Sequence, residues 1–148
     1  MKRSPGMSSI RLFMMLATVA FALVLAVPAL ASAPRGGILS VTKECSQYDF
    51  TAGSFCTITS SNLHAIPAGS KVVYTSAADF GAGVLDSDLV VYAHGANAAY
   101  GHVVLDLTTF TGTVTFSGGT GQFKKFSGSV AVSPLGGVNY AWGGSYSY

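Results

Sequence analysis

Few residues in this 148-residue chain have the type and spacing to do chemistry. The densest cluster is SGGTGQFKKFSGS, Ser117 to Ser129, with four glycines and two adjacent lysines. A phosphate-cradling loop needs G-x-x-x-x-G-K-[ST], and no arrangement of Gly118, Gly119, Gly121, Lys124 and Lys125 supplies it. A dinucleotide fingerprint, G-x-G-x-x-G opening a helix, fails at Lys124. Strand-forming residues lie on both sides, so the segment is expected to be a turn whose glycines permit positive φ.

The remaining candidates are weaker. Asp86 and Asp88, at i and i+2, would point the same way about 6–7 Å apart on a strand, but on its polar face. His94 and His102 flank GANAAYG and could meet across a hairpin, with Asp88 as a third group. His102 and Asp106, four positions apart, would lie about 13–14 Å from each other, too far to share an ion. No metal site or cofactor is expected. A serine hydrolase would need His64, His94 or His102 beside an acid and a serine, and no G-x-S-x-G elbow supports one. The last run places Tyr140, Trp142 and Tyr146 on one face with Val138 and Tyr148. Such a stripe either lines a cavity for an apolar ligand or packs as core or subunit interface.

The elements that must position these residues begin after an N-terminal leader. Lys2, Arg3 and Arg11 precede an apolar run, Leu12 to Val27, and Ala29-Leu30-Ala31 supplies small residues for cleavage. The run is shorter than the roughly 20 residues a spanning helix needs. Residues 1–31 are therefore read as a signal peptide and 32–148 as one domain, secreted or periplasmic, with no membrane attachment after cleavage. The basic residues left, Arg35, Lys43, Lys71, Lys124 and Lys125, are outnumbered by six acids, so the chain's basic pI is no argument for nucleic acid. Cys45 and Cys56 would share an oxidising compartment across a short connection. They are read as a disulfide, with two buried free thiols as the alternative.

Short runs rich in Val, Thr, Tyr and Phe, separated by Gly, Asn, Asp, Ser and Pro, predict an all-β domain. Eight are expected: 37–45, 54–60, 71–77, 84–93, 101–109, 111–117, 126–133 and 138–148. Leu85, Leu89 and Val91 alternate with Asp86, Asp88 and Tyr92; Val103, Leu105 and Leu107 alternate with His102, Asp106 and Thr108. Val114, Phe116, Val130 and Val132 are further inward positions. One apolar face per strand fits an eight-stranded antiparallel barrel, with a two-sheet sandwich as the alternative.

SGGTGQF followed by KKFSGSVAV resembles the signature segment of the allene oxide cyclase barrel superfamily, which includes the dirigent proteins. Gly118, Gly119, Thr120, Gly121, Phe123 and Gly128 match it residue by residue. The resemblance implies an eight-stranded barrel with an apolar pocket, assembled as a dimer or trimer, that shapes a small molecule during cyclisation or coupling. The dirigent first-strand aspartate motif is absent. Glu44 stands where the cyclase acid would be, yet it alternates with Leu39, Val41 and Cys45 and is expected to face solvent. Two functions follow from the sequence: a secreted barrel holding a small apolar ligand, or a non-catalytic extracellular structural or interaction protein.

Overall fold

Alternation along each run decides which side chains point inward, and eight such runs close on themselves. The computed structural model describes residues 35–148; the leader read as a signal lies outside them. The strands are β1 (Gly36–Glu44), β2 (Phe55–Ser61), β3 (Lys71–Tyr74), β4 (Val84–Tyr92), β5 (Ala98–Asp106), β6 (Gly112–Gly119), β7 (Ser127–Gly136) and β8 (Asn139–Ser147). Each pairs antiparallel with its neighbours, and β8 returns to β1 with Gly36 opposite Ser147 and Glu44 opposite Asn139. That last ladder closes the barrel and excludes the sandwich. It also leaves no unpaired edge strand. Among the described residues no helix is long and apolar enough to cross a membrane.

Most strand limits fall within two residues of expectation; four differ by three, with β7 running on to Gly136 and the other three set by local hydrogen bonds. β5 starts at Ala98, since the β4–β5 turn is tight: Ala93 N–H donates to Asn97 O at 3.0 Å. It stops at Asp106, whose Oδ1 accepts the Thr108 and Thr109 N–H groups at 2.7 and 2.8 Å and bends the chain. β3 ends at Tyr74, because Ser76 N–H leaves the ladder for the Ser87 hydroxyl.

A meander of this kind sends its connections alternately to two ends. The β2–β3, β4–β5 and β6–β7 connections form the base; β1–β2, β3–β4, β5–β6 and β7–β8 form the mouth. The base is dry. Ile66, Phe123 and Phe126 are almost wholly buried there. Phe126 packs on Phe123, Phe116 and Tyr148 with ring centroids 5.1–5.3 Å apart. Phe116 in turn meets Trp142 edge-on at 5.8 Å. Leu39, Val41, Val114, Val130 and Val132 fill the space between. Centroid separations of 4.5–7 Å in tilted geometry are those aromatic quadrupoles favour.

The glycine-rich turn holds this base shut. Gly121 adopts φ +58°, and a Cβ there would lie 2.0 Å from Asn97 Oδ1. A Cβ on Gly119 would come equally close to Ala98 O. Thr120 uses the space so gained: its hydroxyl donates to Ala96 O at 2.6 Å and accepts from Ala98 N–H at 3.0 Å. The turn thus clasps the β4–β5 hairpin, while the next residues form one 3-10 turn, Gly121–Phe123, that drops Phe123 into the core. Lys124 and Lys125 stay exposed.

Candidate functional site

At the mouth the interior changes character. The inward positions of β1 are Leu39, Val41 and Lys43, followed by Cys45, so parity alone carries a lysine into the barrel. A register shift between Thr42 and Lys43 against β2 leaves that parity intact. Lys43 is only 4% exposed. Its Nζ donates to the Tyr74 hydroxyl on β3 and lies 3.8 Å from Cys56 Sγ. Aromatic rings surround it, with centroids of Trp142, Tyr74 and Tyr140 at 4.8, 5.1 and 5.6 Å. Cys45 and Cys56 are joined in a disulfide that forms one wall.

Electrostatically this is an unusual place for an ammonium. No carboxylate lines the cavity around Nζ. The ring faces attract a cation by about 0.5–2 kcal/mol each, but losing water costs more. Burial therefore brings the Lys43 ammonium down to about 7. Near neutral pH the amine exists in both forms. The same burial pushes the phenols up: Tyr48 to about 12, and Tyr74 and Tyr140 above their ordinary value. All three remain neutral hydroxyls under physiological conditions. The Tyr48 hydroxyl is buried without a hydrogen-bond partner, and so is the Trp142 indole N–H.

Around Nζ is a cavity of about 30 Å³, with room for one or two water-sized groups. A wider basin of about 440 Å³ shares its Cys45, Tyr48, Phe50, Phe110 and Tyr140 walls and is completed by the β7–β8 hairpin from Pro134 to Val138. That basin lies within the range of small-molecule sites, which run from about 300 to 1,000 Å³. The site is a narrow throat, apolar except for Lys43 and its tyrosine hydroxyls, under an aromatic cup.

The residues singled out from sequence fall in different places. Tyr140 lines both the throat and the cup. Trp142 lies beneath them, 1% exposed, as part of the packed interior. Tyr146 is at the base, 5.8 Å from Phe126. Glu44 points away from the interior, and its carboxylate accepts Ser46 N–H at 2.5 Å. Hydrogen bonds from Ser46 hold it below the usual carboxylate range.

Asp86, Asp88 and His102 do converge, but on the outer wall. His102 Nδ1 is 2.8 Å from Asp88 and Nε2 is 3.0 Å from Asp86. The Asp88 hydrogen bond is the main cause of a raised His102 pKa. His94 and His102 do not meet across the hairpin, in keeping with their reading as surface histidines beside a polar loop. His102 sits opposite Asp88 and Thr115, while His94 is in the β4–β5 turn. Among the described residues no group of three or more His, Cys, Asp or Glu could hold a metal ion.

Lys43, Tyr74 and Tyr48 were not candidates in the sequence reading. The signal for Lys43 was present in the inward parity of Leu39, Val41 and Cys45. Tyr74 and Tyr48 become partners only through barrel closure and a loop fold. No family model, curated protein or solved structure matches this chain.

Proposed function

We propose that this protein is a secreted small-molecule-binding barrel of the allene oxide cyclase and dirigent kind, taking a small apolar ligand in its mouth and holding it for cyclisation or coupling. The observation that carries the reading is the placement of a buried amine, hydrogen-bonded to Tyr74, at the floor of an aromatic cup. A buried cation without a carboxylate is costly, and a structural core would dispense with it. The buried, unpartnered Tyr48 hydroxyl adds a donor that a ligand oxygen would satisfy.

The barrel centre is occupied by Trp142 and Phe116, which limits the ligand to the throat and cup. Secretion is consistent with the Cys45–Cys56 disulfide, since such bonds persist in oxidising compartments. The eight-stranded closure is compatible with the family resemblance.

Native mass spectrometry of protein recovered from its own secretion medium tests the reading. A retained ligand that is lost from the Tyr140→Ala variant is expected; ligand-free protein, together with no uptake of small apolar probes, would refute it.

A second reading is favoured by the outer wall. Tyr92, Tyr100 and Val104 are 53%, 44% and 48% exposed on β4 and β5, a surface suited to a sister subunit or another protein. On this reading light scattering would report a dimer or trimer that Tyr100→Asp dissolves, with no ligand bound at the mouth.

A further inference from the structure

We propose that Lys43 is a covalent capture site for aldehydes, forming a Schiff base with a small aliphatic or aromatic aldehyde whose tail rests in the cup. The inference rests on the mouth-binding reading and extends it by naming the ligand's reactive group. Three observations lead to it.

The first is access. Lys43 Nζ borders the 30 Å³ throat, which admits a head group of very few atoms, and the basin above accepts an apolar tail. A terminal carbonyl on a hydrocarbon or aryl tail has that shape. The second is the amine's state. Its surroundings hold Tyr74 from β3, Tyr48 from the β1–β2 loop, Tyr140 from β8 and the disulfide between Cys45, just after β1, and Cys56 in β2, with no carboxylate to keep it charged. Desolvation lowers the ammonium to about 7, so a sizeable fraction is the nucleophilic free base at neutral pH. The third is proton traffic. The Tyr74 hydroxyl is bonded to Nζ and stays protonated, and the Tyr48 hydroxyl is buried without a partner beside the same cavity.

The chemistry balances without an oxidant or reductant. The Nζ lone pair attacks the carbonyl carbon, the N–C bond forms and the C=O π pair moves to oxygen. Tyr74 relays a proton from nitrogen to that oxygen, giving a carbinolamine. The nitrogen lone pair then expels the hydroxyl, which takes a proton from Tyr74 and leaves as water; a C=N bond forms, and the iminium N–H returns its proton to the Tyr74 oxygen. Aldehyde and amine become imine and water. Tyr48 is placed to donate to the carbonyl oxygen as negative charge develops there.

The test is reductive trapping on the oxidised protein, using hexanal or benzaldehyde with cyanoborohydride at pH 7 and peptide mapping of the product. One alkyl group is expected on Lys43, added at least tenfold faster than on Lys71, Lys124 or Lys125. The Lys43 rate should rise with pH and level off above about 7. Tyr74→Phe should slow trapping at Lys43 about tenfold and leave the rates at Lys71, Lys124 and Lys125 unchanged. Uptake of 1-hexanol by the native protein is followed by its intrinsic fluorescence.

Even labelling of Lys71, Lys124 and Lys125 with Lys43 untouched would overturn the proposal. If 1-hexanol or hexanoate binds the mouth and Lys43 still forms no adduct, covalent capture is wrong and mouth binding stands. If no probe binds, both readings fall.

Discussion

The two ends of one barrel solve opposite problems. The base is sealed by Phe123, Phe126, Ile66 and the clasp of Thr120 on the β4–β5 hairpin, with its polar groups matched to the backbone. The mouth keeps a lysine and three tyrosines among apolar neighbours and leaves a cavity over them. Fully buried phenyl rings are concentrated at one end, and the lysine at the other is costly to bury. A buried amine without a carboxylate is tolerated only where the rest of the fold over-determines its place.

Breaking the comparison at its strong end should have the largest effect. Phe126→Ala removes a fully buried ring that contacts Phe116, Phe123, Tyr146 and Tyr148, and is expected to cost about 3–5 kcal/mol in urea unfolding. Phe50→Ala at the mouth should cost under about 1.5 kcal/mol, because its ring borders open space, and yet weaken ligand uptake. Equal losses at both ends would contradict the division.

Lys43 sharpens the contrast at intermediate size. In the unfolded chain it titrates near 10.4, and in the folded barrel near 7. Between those values the unfolded state holds the extra proton, so folding stability rises with pH, and below about 7 the penalty is full. From pH 7 to 9 the unfolding free energy should climb by about 2–3 kcal/mol relative to Lys43→Met. That variant should be the more stable protein at pH 7, and parallel pH profiles for the two would count against a depressed lysine.

His102 provides the smallest effect. Its pKa is raised, so its stabilising pairing is complete below about 6.5 and fades as pH rises through the folded value. The ring is 47% exposed and the aspartates more so, and solvent screens them. His102→Gln should therefore lose less than about 0.5 kcal/mol at pH 5, nothing at pH 9, and nothing at either pH in 0.5 M salt. A larger or salt-insensitive loss would give the outer wall a part in stability that its exposure denies.

The fold was more legible in the sequence than the site. Period-two alternation in β4, β5, β6 and β7 is a local property, and Leu89, Val103, Val114 and Val130 do face inward. The role of Phe123 and Phe126 could also be read, since a glycine turn between strands leaves its aromatics nowhere to go but the core. Strand ends were less legible, because Asp106 and Ser87 take backbone hydrogens that pattern alone assigns to the ladder. The aromatic stripe of β8 misled in a different way. Its one face runs the full height of the barrel, so Tyr140 reaches the cup, Trp142 the centre and Tyr146 the base. Lys43 was hidden by habit more than by physics. Its parity is inward, but a lysine is ordinarily assigned to solvent, and only closure brings Tyr74, Trp142 and the disulfide around it.

The meander has a further consequence. Every strand is joined to its immediate neighbour, so no mouth hairpin threads past another or reaches the base. The turns after β1, β3, β5 and β7 can be lengthened, shortened or exchanged singly without rerouting the chain. A lineage or an engineer could rewrite the rim piece by piece and keep the same sealed foot beneath it.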